Sequence, residues 1–328
     1  MIAEQGDAGP DLTVVTVVFG PEVDLLELQA RSMARFLAPV TATELIILDN
    51  GVRALSSATQ RRLRRAYGPL GRFVKVIRTA DLIDAGGARG WRSQQAAKLA
   101  IARHITTSHY VVLDAKNHLT RTADVSAFIG SDGRAHGAFH TYRGHPLRPS
   151  LERTLDYLGA SPEQKRDAVE SFPPTATPFV FDTALVRAML DDIERRDAVP
   201  FFATFEREQL LEFFLYSGWV MTRGPGITEA IDGKSIPSPT VWPKAADLRG
   251  VIATIAEAER EGAFVFAVHR QVLARGDAAT LNRIAEHWVR SELFTSLPEA
   301  KALIRRFRRR YFPALVVTRL AERLGRHH

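Results

Sequence analysis

Leu12–Gly20 reads LTVVTVVFG, and the reading of this stretch decides the fold. It is rich in β-branched residues and has no polar face, so it predicts a strand buried on both sides. The run stops at Gly20-Pro21, a turn signal. Leu25 to Leu37 then places apolar residues at helical spacing. Glu44 to Leu48, ELIIL, is a second buried strand, closed by Asp49-Asn50-Gly51, a loop sequence tolerant of positive φ. Ser57 to Tyr67 predicts a basic helix, Phe73 to Ile77 (FVKVI) a third strand, Trp91 to Ile105 a helix and His109 to Leu113 a fourth strand. Strands separated by helices of this length imply parallel βαβ units and hence an α/β fold built on a doubly wound, mostly parallel, Rossmann-like sheet. Ligands of such sheets sit outside the carboxyl ends of the strands. Gly20-Pro21, Asp49-Asn50-Gly51, the segment after Ile77 and Asp114-Ala115-Lys116-Asn117 therefore converge on one rim.

Beyond these strands the pattern loosens. Ala135 to Tyr142 is expected as a strand, Ser150 to Glu170 as a helical pair and Pro173 to Pro178 as a rigid turn feeding the short strand PFVFD. Gln209 to Val220, Asp247 to Gly262 and Ala278 to Leu293 are expected as helices. No internal repeat and no low-complexity linker appears.

Composition bounds the function. The chain has 328 residues, 45% hydrophobic and 25% charged, which excludes disordered and fibrous classes. It has 0 cysteines, so disulfides, thiolate metal sites and a cysteine nucleophile are out. The N-terminal MIAEQGDAGPDL lacks the basic and apolar regions of a signal peptide, and no apolar run is long enough to span a bilayer. A cytoplasmic protein is expected. The net charge of +7 is concentrated at one end: residues 299–328 hold nine Lys or Arg and two acids, leaving 35 of each sign in the rest. A neutral body offers no basic groove, which argues against nucleic acid.

The chemistry-bearing residues gather at the rim. Asp114 ends the fourth strand, and the next charged residue is Lys116, whose ammonium repels a divalent cation but can itself stabilise a phosphate leaving group. The same turn also reads as a solvated surface loop. Trp91, Gln95 and Lys98 share one face of their helix. Glu212, set among Leu211, Phe213 and Phe214, is expected to be partly buried, which raises a carboxyl pKa and makes it a candidate general base; the alternative is a structural Glu paired with an Arg. The histidines show no HExxH spacing, so zinc is not expected. GxGxxG, GxxxxGK[ST] and GxSxG are all missing.

The order TVVFGPEVD, GWRSQQAAKLA, HYVVLDAKN, TPFVFDTALVRAML and EFFLY, over roughly residues 12–225, resembles bacterial glycosyltransferases of the GT-A fold, and most of all an uncharacterised bacterial family related to them. The resemblance implies a GT-A-like domain over 12–245, preceded by a flexible N-terminus (1–11) and followed by a helical extension of the same domain (246–298) and a basic amphipathic tail (299–328). It implies transfer of a sugar from a nucleotide-diphosphate-sugar donor to a hydroxyl acceptor, in surface polysaccharide or glycolipid synthesis. Thr16, Phe19, Gly20 and Asp49 would seat the nucleotide. Gln95, Lys98, Asp114, Lys116 and Asn117 would face the donor, with Lys116 and Glu212 catalytic and Thr177, Tyr216 and His145 on the acceptor side. The family's Asp-x-Asp turn reads Asp114-Ala115-Lys116 here, so no confident metal ligand remains beyond Asp114, and dependence on Mn²⁺ or Mg²⁺ is expected to be weak or absent. Two other readings stay open: a GT-A-like protein that holds nucleotide sugar without turnover, and a membrane-associated adaptor. In the tail, Leu303, Ile304, Phe307, Tyr311, Leu315, Leu320 and Leu324 recur near helical spacing with arginines between and a kink expected at Pro313. That pattern suits the anionic inner membrane face, and equally suits packing of the apolar side on the body.

Overall fold

The structure, a computed structural model, describes residues 12–38, 41–83 and 91–324, with side chains through residue 317. The expected flexible segment 1–11 and the last four residues of the tail lie outside the described residues. The strands in chain order are β1 (Leu12–Val18), β2 (Ala42–Asp49), β3 (Val74–Arg78), β4 (His109–Asp114), β5 (Asn117–Leu119), β6 (Phe179–Asp182), β7 (Thr240–Val241) and β8 (Val265–Val268).

Five strands make the main sheet in the order β3-β2-β1-β4-β6. β1, β2, β3 and β4 run parallel, and β6 closes the β4 edge antiparallel. Every residue of β1 is buried, as its uninterrupted apolar run requires of a central strand covered on both faces. The pleat sends alternate side chains into two cores. Val14, Val111 and Leu113 point into one, beside Leu25, Leu28 and Met33 of the Val23–Phe36 helix. Val15, Val17, Tyr110 and Val112 point into the other, beside Leu99 of the Trp91–Ala100 helix, Val186 and Leu190 of the Thr183–Asp197 helix, and Leu215 and Tyr216 of the Glu212–Thr222 helix.

That alternation positions the site. Asp114 follows Tyr110 and Val112 in the period-2 pattern, so its carboxylate leaves β4 on the side of the helices that carry Lys98 and Glu212. The parallel register pairs Val17 with Asp114, Val18 with Asp49 and Asp49 with Arg78, so the strand ends share one rim.

A second sheet, order β5-β8-β7, follows directly on the Asp114–Lys116 turn. β5 pairs antiparallel with β8 (Asn117 opposite Ala267) and β7 pairs parallel with β8 (Val241 opposite Val268). The sequence reading did not anticipate β7 and β8, which hold six residues between them.

Three expected elements differ. Ala135–Tyr142 is not a strand, because its backbone bonds go to separate partners: His136 to Phe128, Ala135 to Ala230, and His140 to Phe172. Gly137 belongs to this path because an added Cβ would stand 2.8 Å from Ile231 Cγ2. The helix expected from Gln209 begins at Glu212, after Gln209 takes a positive φ of 57°. The helix expected over Trp91–Ile105 is α-helical to Ala100 and finishes as a 3₁₀ turn, Ile101–His104.

The C-terminal helix, Leu297–Leu324, runs through Pro313. Ala300, Leu303, Ile304, Phe307 and Tyr311 are buried against the body. Arg306 reaches Asp24 (3.0 Å) and Glu27 (2.8 Å), and Arg310 reaches Asp24 (3.2 Å), at the start of the Val23–Phe36 helix. Of the two readings of the tail, packing on the body is what the first half of this helix does.

Candidate active site

The turn that presents Asp114 is held on both sides. The Asp114 N–H donates to Asn117 Oδ1 at 2.9 Å, and Gln29 Nε2 donates to the Asp114 carbonyl at 2.9 Å. Thr16 Oγ1 donates to Gln29 Oε1 at 2.8 Å, which fixes that amide. Thr177 Oγ1 lies 2.9 Å from Asn117 Oδ1 and 3.3 Å from Asp114 Oδ2, and Asn117 Nδ2 donates to Ser238 Oγ at 3.2 Å. His118 Nε2 accepts from Trp288 Nε1 at 3.0 Å, which leaves the proton on Nδ1, 3.3 Å from the Lys116 carbonyl. Burial pushes His118 down to about 3, so it is neutral at ordinary pH.

Around Asp114 stand two ammonium groups and a second carboxylate. Lys98 Nζ lies 3.4 Å from Asp114 Oδ1 and 3.1 Å from Glu212 Oε1, and Lys116 Nζ contacts Asp114 Oδ2. With its amide oriented to satisfy both ends, Gln95 donates to Glu212 Oε2 at 2.7 Å and accepts from Trp91 Nε1 at 3.2 Å. Lys98 and Glu212 are almost fully buried, whereas Asp114 keeps about a third of its side chain in solvent.

The electrostatics follow from this placement. Burial alone would raise the Asp114 pKa, but Lys98 and then Lys116 outweigh it and hold the carboxyl well below the usual range. Burial alone would lower Lys98, and Asp114 and Glu212 overcome that as well, keeping it charged. For Glu212 burial wins: its pKa is raised although Lys98 pulls it back. Two carboxylates in one constellation are thus driven apart, one firmly ionised and one poised to take a proton.

These groups line one cavity of about 760 Å³. Gln94, Gln95, Lys98, Asp114, Lys116, Thr177 and Glu212 form one part of its wall. Trp242, His269 and Arg270, from beyond the main sheet, form another. The sequence reading missed all three. Trp242 lies in a proline-rich stretch without periodicity, and the only signal for His269-Arg270 is the short apolar run FVFAV before it.

Other expected site residues sit behind or beside the cavity. Thr16 is buried under Gln29. Asn117 is buried and braces the turn. Asp49 is buried, and its carboxylate accepts from the N–H groups of Gly51 (2.9 Å) and Leu55 (2.8 Å), closing its own loop. Phe19 lies under the Arg270 guanidinium, 5.9 Å from the ring centre, and Gly20 is exposed. Tyr216 is buried, its hydroxyl accepting from the Asp182 N–H at 3.3 Å. His145 Nδ1 accepts from the Leu147 N–H at 3.1 Å, and its ring packs on Tyr142.

The profile of the Family of unknown function (DUF6492) matches residues 26–236, more than half of the chain. The protein belongs to that family. No curated protein matches the sequence. Among solved structures, the DUF6492 chain is similar to the galactosyltransferase LgtC in complex with donor and acceptor sugar analogues, with a TM-score of 0.49 and 12% identity, covering 87% of this chain and 96% of that one. It is also similar to glucosyl-3-phosphoglycerate synthase from Mycobacterium tuberculosis in complex with Mn²⁺, uridine diphosphate and phosphoglyceric acid, with a TM-score of 0.38 and 14% identity, covering 68% of each chain.

The donor set of this DUF6492 protein does not suit a divalent cation. Each oxygen of Asp114 faces an ammonium group, so an ion at that carboxylate would meet two positive charges at close range. Among the described residues there is no group of three or more His, Asp or Glu side chains arranged to hold a metal ion.

Proposed function

We propose that the protein is a GT-A-like glycosyltransferase, with residues 12–245 as its nucleotide-sugar-binding unit, which moves a sugar from a nucleotide-diphosphate donor to a hydroxyl acceptor in surface polysaccharide or glycolipid synthesis. The observation that carries this reading is the Lys98–Asp114–Lys116–Glu212 constellation, set in a large cavity at the carboxyl rim of a parallel sheet. Expulsion of a diphosphate needs positive charge at the leaving oxygen. Lys116 is suited to that role: among the described residues its one ion pair is with Asp114, and Lys98 remains to balance Asp114 when the ammonium turns to a phosphate. Glu212, its pKa raised by burial, takes the proton of the acceptor hydroxyl as the new bond to the anomeric carbon forms and the bond to the phosphate oxygen breaks. Backbone groups of the Thr16–Gly20 turn and the Asp49 loop seat the nucleotide, and Thr177 faces the acceptor.

The test is a thermal-shift panel of nucleotide sugars followed by a turnover assay. Stabilisation by one donor class, with transfer or slow hydrolysis of that donor, is the expected result. Stabilisation without any turnover would leave a nucleotide-sugar-binding protein, and indifference to every donor would remove the reading.

The same proposal places the protein in the cytoplasm, at the inner membrane face. No helix among the described residues is long and apolar enough to cross a membrane. Arg305, Arg308 and Arg309 are exposed on the C-terminal helix with Phe312 and Val316 following at spacings of three and four, and none of these three arginines pairs with an acid among the described residues. Such a face suits anionic lipid. Replacing the three arginines by glutamate is expected to abolish sedimentation with phosphatidylglycerol vesicles and to leave the melting temperature within a few degrees. Undiminished sedimentation of that variant would refute the membrane site.

A further inference from the structure

The wall of the cavity that faces Lys116 has no role in the reading above, and it lies beyond residue 236, where the family match ends. Its construction follows from the second sheet. β7 and β8 run parallel with Val241 opposite Val268, so the next residues, Trp242 and His269, leave the two strand ends side by side. The His269 N–H donates to the Val241 carbonyl at 3.0 Å, and the two rings lie 5.6 Å apart at 37°. Lys116 Nζ stands 5.4 Å from the centre of the Trp242 ring. Trp242 is nevertheless 44% exposed, an unusual state for so large an apolar residue on a concave wall.

His269 is prepared as a neutral donor. Its Nδ1 accepts from the Gln271 N–H at 3.2 Å, so the ring proton sits on Nε2, which has no partner among the described residues. Burial, Arg270 and Lys116 together hold it down at about 4, so the ring stays uncharged at neutral pH. Arg270 is paired with Glu22 through Nη1 at 2.5 Å and adds positive charge to the wall.

We propose that this wall completes the donor site: the exposed face of Trp242 stacks against the pyranose ring of a sugar phosphate, and the His269 Nε2–H, with Lys116, donates to the phosphate that carries it. The inference rests on the glycosyltransferase reading and deepens it, since it separates recognition of the sugar from recognition of the diphosphate. The C–H face of a pyranose packs well on an indole, and phosphate oxygens accept from a fixed N–H and an ammonium. Residues beyond the family match would then set which sugar is accepted.

Calorimetric titration separates the two claims. The wild type, Trp242→Ala, Trp242→Phe and His269→Ala are each titrated with UDP, GDP and dTDP and with a sugar conjugate of each, after melting temperatures confirm folding. For the nucleotide that binds, Trp242→Ala should weaken the conjugate about tenfold and leave the bare diphosphate unchanged. Trp242→Phe should keep most of the affinity, and His269→Ala should weaken both ligands alike. The inference fails if Trp242→Ala binds both ligands as the wild type does, or loses both equally. A wild type that binds none of them sinks the glycosyltransferase reading and the inference with it.

Discussion

Lys98→Met is expected to lower the unfolding free energy by about 3–5 kcal/mol, the cost of leaving a buried carboxylate without its counter-charge. Lys98 and Glu212 are both almost fully buried at 3.1 Å, so water cannot replace the ammonium. Asp114 retains some solvent and contributes less to the penalty. Because the damage is an uncompensated charge rather than a cavity, the double variant Lys98→Met with Glu212→Leu should regain most of the loss. Urea unfolding of the wild type, both single variants and the double variant measures this directly. A Lys98→Met protein within about 1 kcal/mol of wild type would mean that Lys98 does not hold the site together.

How far the sequence revealed this arrangement depends on how local each determinant is. β1 and β4 are continuous apolar runs, so their burial and parallel pairing could be read directly, and so could the shared face of Trp91, Gln95 and Lys98. The meeting of Lys98 with Asp114 and Glu212 could not. It depends on strand alternation sending Asp114 toward two helices, one of which begins 98 residues later in the chain. Asp49 carried a sound local signal, a carboxylate at a strand end, but the carboxylate is engaged with the N–H groups of its own turn. Trp242 and His269 are neighbours only because β7 and β8 pair, and strands of two and four residues leave almost no periodic trace. The Ala135–Tyr142 segment, expected as a strand, pairs with separate partners rather than with one strand, and its own sequence does not reveal where those partners lie.

Glu212→Gln carries the second large effect. The amide keeps the shape of the carboxyl but cannot accept the proton of an acceptor hydroxyl, so kcat is expected to fall by about 10²–10⁴. Donor affinity should stay within a few-fold of wild type, because Glu212 faces the acceptor in this account. The raised pKa sets the sign of the pH dependence: in the wild type the rate should fall as pH drops through the Glu212 titration, at a pH above the ordinary glutamate range, and Glu212→Gln should flatten that limb. Steady-state kinetics over pH with a saturating donor reads both. A kcat within about threefold of wild type would assign Glu212 to structure, as the partner of Lys98 and Gln95.

The central claim is that an ammonium group takes the place of a divalent cation at the end of β4. Its most direct measurement is the donor-induced shift in melting temperature, taken in EDTA and in Mn²⁺, for the wild type and Lys116→Ala. A ligand that binds only the folded state stabilises it in proportion to the logarithm of its concentration over Kd, so the shift reports donor affinity without requiring turnover. The account predicts a wild-type shift that is as large in EDTA as in Mn²⁺ and is lost in Lys116→Ala. A shift that needs Mn²⁺ and is indifferent to Lys116→Ala would contradict it.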